Sequence, residues 1–183
     1  MQPVPFWRVC RVLANRPRLM MLGLINRRPG LRVNQIARAM RLSRPAASQY
    51  LRALEACGLV FARRAGRSVV YELGGRNADP CARSLIRALV LRLSDKGSIE
   101  SVFKLATAFA NPGRIDVFRC LVTGPKSVAR LKSSTGFARI TLWRHLQKLR
   151  HRGFVCKGST GDTYERAVPG DELARALAQV AGS

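Results

Sequence analysis

Apolar positions recur at helical spacing in two stretches about 95 residues apart. In Leu42–Val60 the pattern puts Ala47, Leu51 and Leu54 on one face. In Phe137–Val155 it puts Leu142, Leu146 and Leu149 there. Each stretch then reaches a glycine, Gly58 or Gly153, and an apolar pair, Leu59-Val60 or Phe154-Val155. A helix stopped by glycine and continuing into a short strand predicts a recognition helix that feeds a β-hairpin wing.

The shared register extends further. Leu13-Ala14-Asn15-Arg16-Pro17-Arg18-Leu19 lies over Phe109-Ala110-Asn111-Pro112-Gly113-Arg114-Ile115 without a gap. One residue is lost near Arg27–Gly30, and Val33–Met40 then lies over Val128–Thr135. Gly66 pairs with Gly161, and Tyr71-Glu72 with Tyr164-Glu165. Composition alone would match leucines. It would not put two Asn-containing segments, two helix-ending glycines and two Tyr-Glu strand ends in one order, so the pattern predicts a repeated unit.

In the first unit the periodicity predicts helices over Phe6–Leu13, from near Pro17 to about Asn26, and over Val33–Met40, with a break at Arg28-Pro29-Gly30. Ser43 is the expected N-cap of the recognition helix, and Pro45 falls in its first turn, where a missing N–H costs little. Leu59–Phe61 and Val69–Tyr71 are the expected wing strands, with Arg63–Arg67 as the tip and a closing helix from Pro80 to about Leu93. The second unit repeats this: helices over 103–109, 114–121 and 128–134, a recognition helix over 139–151, a shorter wing over 155–164, and a closing helix over 171–180. Lys96-Gly97-Ser98 is the expected boundary. The fold class predicted is mainly α with small β-hairpin wings (α+β), in two tandem winged helix-turn-helix domains, 1–95 and 99–183.

Charge points this scaffold toward a partner. The 183 residues hold 33 Lys and Arg against 10 Asp and Glu, a net charge of +23. Residues 1–95 carry +14 (18 basic, 4 acidic) and residues 96–183 carry +9 (15 basic, 6 acidic). The excess is spread through both units, not blocked into a tail, so it belongs on folded surfaces that attract phosphate. Units of this size have marginal cores alone, so their terminal helices are expected to pack together.

A recognition helix turns its leucines inward and its intervening residues toward the DNA groove. That logic selects Arg44, Pro45, Ser48, Gln49 and Arg52 in the first unit, and Arg139, Ile140, Trp143, Arg144 and Gln147 at the equivalent places in the second. Thr141 and Lys148 on the second helix are further DNA-binding candidates, as are the wing cations Arg63, Arg64, Arg67 and Lys157. Gln49 suits adenine and Arg144 suits guanine, each through two hydrogen bonds worth ~1–3 kcal/mol of discrimination. Trp143 replaces Ser48; its ring either stacks on a sugar or folds back beneath the wing, and packing is the preferred expectation.

The five cysteines show neither disulfide nor metal spacing. Cys10 and Cys81 are candidates for a redox switch, against the plainer expectation of buried apolar thiols. His145 and His151 fall on different helix faces. No metal, cofactor or catalytic constellation is expected. No apolar stretch is long enough to span a membrane, and Met1–Arg8 lacks the pattern of a signal peptide. A cytoplasmic, nucleoid-associated protein is the expectation.

These residues resemble the arsenical-resistance repressor (ArsR) family of winged-helix regulators. The carriers are Leu13-Ala14-Asn15 with Arg18-Leu19, the helix Ala47-Ser48-Gln49-Tyr50-Leu51 with Leu54, Gly58-Leu59-Val60, and Arg63-Arg64 with Gly66-Arg67 and Tyr71. The first unit matches over nearly its full length, the second more loosely. Members of that family are homodimers of single units, joined through first and last helices, that repress transcription at palindromic operators. Two units in one chain would imply an intramolecular pseudo-dimer. The family's metal-sensing positions are not matched, since Val33–Met40 has no cysteine and the closing helices have no histidine.

Three functions fit the residues. The preferred one is a sequence-specific regulator of double-stranded DNA, most simply a repressor, acting as a monomeric pseudo-dimer or a homodimer. A non-specific architectural DNA-binding protein and a protein-interaction module on a winged-helix scaffold are the alternatives. No enzyme is expected.

Overall fold

Asparagine caps explain one part of the repeated pattern. Helix α2 (Arg16–Arg27) begins after Asn15, whose side chain accepts the Arg18 amide at 3.1 Å. Helix α7 (Pro112–Cys120) begins after Asn111, whose side chain accepts the Arg114 amide at 3.2 Å. Both helices carry proline at the first or second position. The Asn-containing segments recur because each satisfies amides that a helix start would leave unpaired.

The computed structural model describes residues 4–74, 80–94, 98–159 and 161–183. Its first half runs α1 (Phe6–Leu13), α2, β1 (Leu31–Arg32), α3 (Val33–Ala39), α4 (Arg44–Ala56), β2 (Val60–Ala65), β3 (Ser68–Leu73) and α5 (Pro80–Ser94). The second half runs α6 (Ser98–Phe109), α7, a 3-10 turn at Leu121–Thr123, β4 (Lys126–Ser127), α8 (Val128–Thr135), α9 (Arg139–His151), β5 (Val155–Lys157), β6 (Thr163–Arg166) and α10 (Glu172–Gly182). The described fold is mainly helical with small antiparallel sheets, as winged-helix α+β folds are.

Each half holds a three-stranded sheet, in the orders β1-β3-β2 and β4-β6-β5. The third strand was not expected, because two residues are too few to show alternation. It gives the paired tyrosines a reason: Tyr71 faces Leu31 on β1, and Tyr164 faces Lys126 on β4. The first wing is longer than expected. Ala65 pairs with Ser68, so the turn is only Gly66-Arg67, and Gly66 has φ +59° as a tight hairpin requires. Arg63 and Arg64 therefore lie in β2 and not at the tip.

One other expectation is corrected. Helix α6 starts at Ser98, not 103, because Val102, Ala106 and Phe109 continue one buried face upstream. Of the expected boundary, Lys96 and Gly97 lie outside the described residues, and Ser98 already belongs to α6.

The core is continuous through both halves. Leu13, Leu22 and Leu59 are buried in the first half; Phe109, Phe118 and Phe154 hold the equivalent places in the second. Those rings pack edge to face, with Phe109 to Phe118 at 5.0 Å and Phe109 to Phe154 at 4.6 Å between centroids. Phe6 of α1 reaches across to Phe109 at 6.1 Å. Helix α1 packs on α6, and α5 packs on α10. Ion pairs tie the same seam: Arg16 with Glu100 at 2.9 Å, and Arg92 with Asp171 at 3.0 Å.

Candidate nucleic-acid interface

Helices α4 and α9 are both 13 residues long, and both bury the leucine-face residues at the same three positions. Their ends are also alike. The Leu59 amide returns to the Leu54 carbonyl at 3.0 Å and Gly58 to Glu55 at 2.9 Å; Phe154 returns to Leu149 at 3.0 Å and Gly153 to Arg150 at 2.9 Å. Gly58 (φ +69°) and Gly153 (φ +76°) supply the left-handed residue such a cap demands. The junction aims each wing strand from the base of its helix. The starts differ: the Ser43 hydroxyl accepts the Ala46 amide at 3.3 Å, whereas Ala138 offers no side-chain cap.

On α4, Arg44, Pro45, Gln49 and Arg52 are exposed and Ser48 is partly buried. On α9, Arg139, Trp143 and Arg144 are exposed, while Thr141, Gln147 and Lys148 are partly buried. Burial and the neighbouring Arg152 and Arg114 charges push the Lys148 ammonium below its ordinary range. The packing expectation for Trp143 is corrected: the ring is 56% exposed. Leu146 and Tyr164 are buried, and the indole stands on the outer face, lining an open cleft with them.

The wings differ in how freely they offer charge. Arg64 and Arg67 are exposed, but Arg63 is held by Glu72 on the neighbouring strand at 2.8 Å. Lys157 donates to the Gly161 carbonyl at 2.8 Å and lies 4.6 Å from the Tyr164 ring, so it closes its own hairpin. Ordinary wing chemistry would need that lysine to let go.

Ile140, selected from the sequence as outward-facing, is 65% exposed beside Trp143. Two surface cations were not singled out from sequence. Arg130 and Lys132 on α8 are exposed next to the recognition helix. A usable signal was present: residues 117–161 contain ten Lys and Arg and no Asp or Glu. The first 54 residues likewise contain eleven arginines and no acidic residue.

Cys10 is fully buried, and burial pushes its thiol up, away from the reactive thiolate. The Cys81 side chain lies outside the described residues, so the pair is not placed. His145 is half-buried against Phe137, with ring centroids 5.4 Å apart, and burial lowers its pKa. Among the described residues, no three or more His, Cys, Asp or Glu gather as a metal site, and no helix is long and apolar enough to cross a membrane.

A model of the MarR family matches residues 15–68, which run from the cap of α2 through β2 to the start of β3. The match supports a winged-helix transcriptional regulator family for that part of the chain and does not single out the arsenical-resistance family. No curated protein and no solved structure matches the chain.

Proposed function

We propose that this chain is a sequence-specific regulator that binds double-stranded DNA and acts as a repressor. Its two recognition helices, α4 and α9, read adjacent major grooves. Two winged helix-turn-helix domains, 1–95 and 99–183, arose by tandem duplication and serve as an intramolecular pseudo-dimer in the cytoplasm, on the nucleoid. The observation that carries this reading is the repetition of one helix, of the same length and with the same buried positions and glycine cap, in two strongly basic stretches of the chain. The MarR-family match over the first of these supports DNA binding and regulation. Packing of equivalent helices, α1 on α6 and α5 on α10, is what a two-fold interface between like units produces.

Arg44 and Arg139 hold phosphate or guanine at the helix starts, Gln49 reads adenine, and Arg144 reads guanine. The half-sites therefore differ, and the operator is an imperfect palindrome with centres about 34–36 Å apart. Selection of bound duplexes from a random pool, followed by titration against random DNA at fixed salt, tests this. A specific site binds ~10³-fold or more tighter. A ratio near one would reduce the protein to an architectural DNA binder.

A further inference from the structure

The two recognition surfaces are equal in length and unequal in chemistry. Where α4 presents Pro45 and Ser48, α9 presents Ile140 and Trp143, 65% and 56% exposed. Their i, i+3 spacing puts both side chains on one strip of the helix. The strip borders a cleft of about 760 Å³ whose walls include Val128, Ile140, Trp143 and Tyr164, with Lys132 and Arg139 among its cations. Large apolar side chains left in water at the start of a recognition helix call for an occupant.

Charge selects that occupant. Residues 117–161 hold ten cations and no anion, and Lys132 and Arg139 line the cleft itself, so a second copy of this +23 chain is repelled and a polyanion is drawn in. Residues near the start of a recognition helix face base edges in the major groove. There, only thymine offers an apolar group, its 5-methyl. We propose that Ile140 and Trp143 are specificity-determining residues that read thymine methyls in the half-site facing α9. Arg139 and Arg144 hold the neighbouring phosphates and bases. The other half-site, facing Pro45 and Ser48, is read by polar contacts. This inference rests on the reading of the chain as a DNA-binding regulator.

Replacing thymine by uracil deletes the methyl and nothing else. In the full chain's selected duplex, the half-site facing α9 is expected to carry thymine, and uracil there to weaken binding about fourfold for each methyl buried. Ile140→Ala and Trp143→Ser should bind the thymine and uracil duplexes equally. Both side chains are mostly exposed, so unchanged thermal unfolding verifies that the variants fold. Tight, specific binding with no difference between thymine and uracil would overturn the methyl reading and leave the regulator reading standing. A consensus without thymine in that half-site would do the same. Failure to bind any selected duplex better than random DNA would overturn both.

Discussion

Arg41 and Gly136 occupy the same place in the two helix-turn-helix turns, and both are left-handed, with φ +52° and +69°. Glycine adopts this conformation without cost; a residue with Cβ pays ~1–2 kcal/mol. Arg41 is the sole non-glycine residue with positive φ among those described. Its strain sits at the turn that sets the angle of α4, as strain at binding sites often does. Arg41→Gly should raise stability by somewhat under 1 kcal/mol, because greater freedom of the unfolded chain offsets part of the relief. Gly136→Ala should lower it by a similar amount: no atom lies within 4 Å of the added Cβ, so the cost is in the backbone alone. Urea midpoints at constant m-value measure both; equal and unchanged midpoints would remove the strain.

Phe109 joins α1, α7 and Phe154, the residue before β5, through three ring contacts. Phe109→Ala should cost ~3–5 kcal/mol, while Phe109→Leu, which restores the residue of the first half, should cost much less. Because one core spans both halves, fluorescence and circular dichroism should follow a single transition. Two resolved transitions would mean that the halves unfold independently.

Stability should fall in mild acid through His145. Burial, reinforced by Arg114 and opposed by Asp116, lowers its pKa below the ordinary 6.5. As pH drops through 6.5 the unfolded chain takes up the proton first, so stability is complete above that value and declines below it. In His145→Gln this part of the slope of unfolding free energy against pH between 7 and 5 should vanish. An identical slope in the variant would place the proton uptake elsewhere.

Charge reversal at Arg44 and Arg139 tests the interface directly. The double variant with both changed to Glu should lose affinity for every duplex, and its salt slope should shrink by about one for each phosphate contact removed. Binding that stayed at the parent level would move the function to a protein-docking surface.

Cys10 should resist modification. Its thiol is buried and shifted up, whereas Cys57 and Cys156 are only partly buried. An aromatic disulfide reagent should label Cys10 at the rate of global opening. Rapid labelling in the native protein would revive a redox role.

Local chemistry alone determined a good deal here. Leucine periodicity located α4 and α9, Asn15 and Asn111 marked helix starts, and Gly58 and Gly153 marked helix ends, because caps and turns depend on a few neighbouring residues. The charge surplus narrowed the partner for the same reason: it needs no geometry. Tertiary structure decided the rest. Two-residue strands become strands only when β3 and β6 pair with them. Arg63 and Lys157 look alike in sequence to Arg64 and Arg67, yet Glu72 and Gly161 hold them. Trp143 carries an aromatic ring that composition assigns to a core; in the fold it stands 56% exposed on the wall of an open cleft, beside the buried Leu146 and Tyr164. Which side chains meet across a fold depends on volume shared between distant segments, and periodicity carries no record of it.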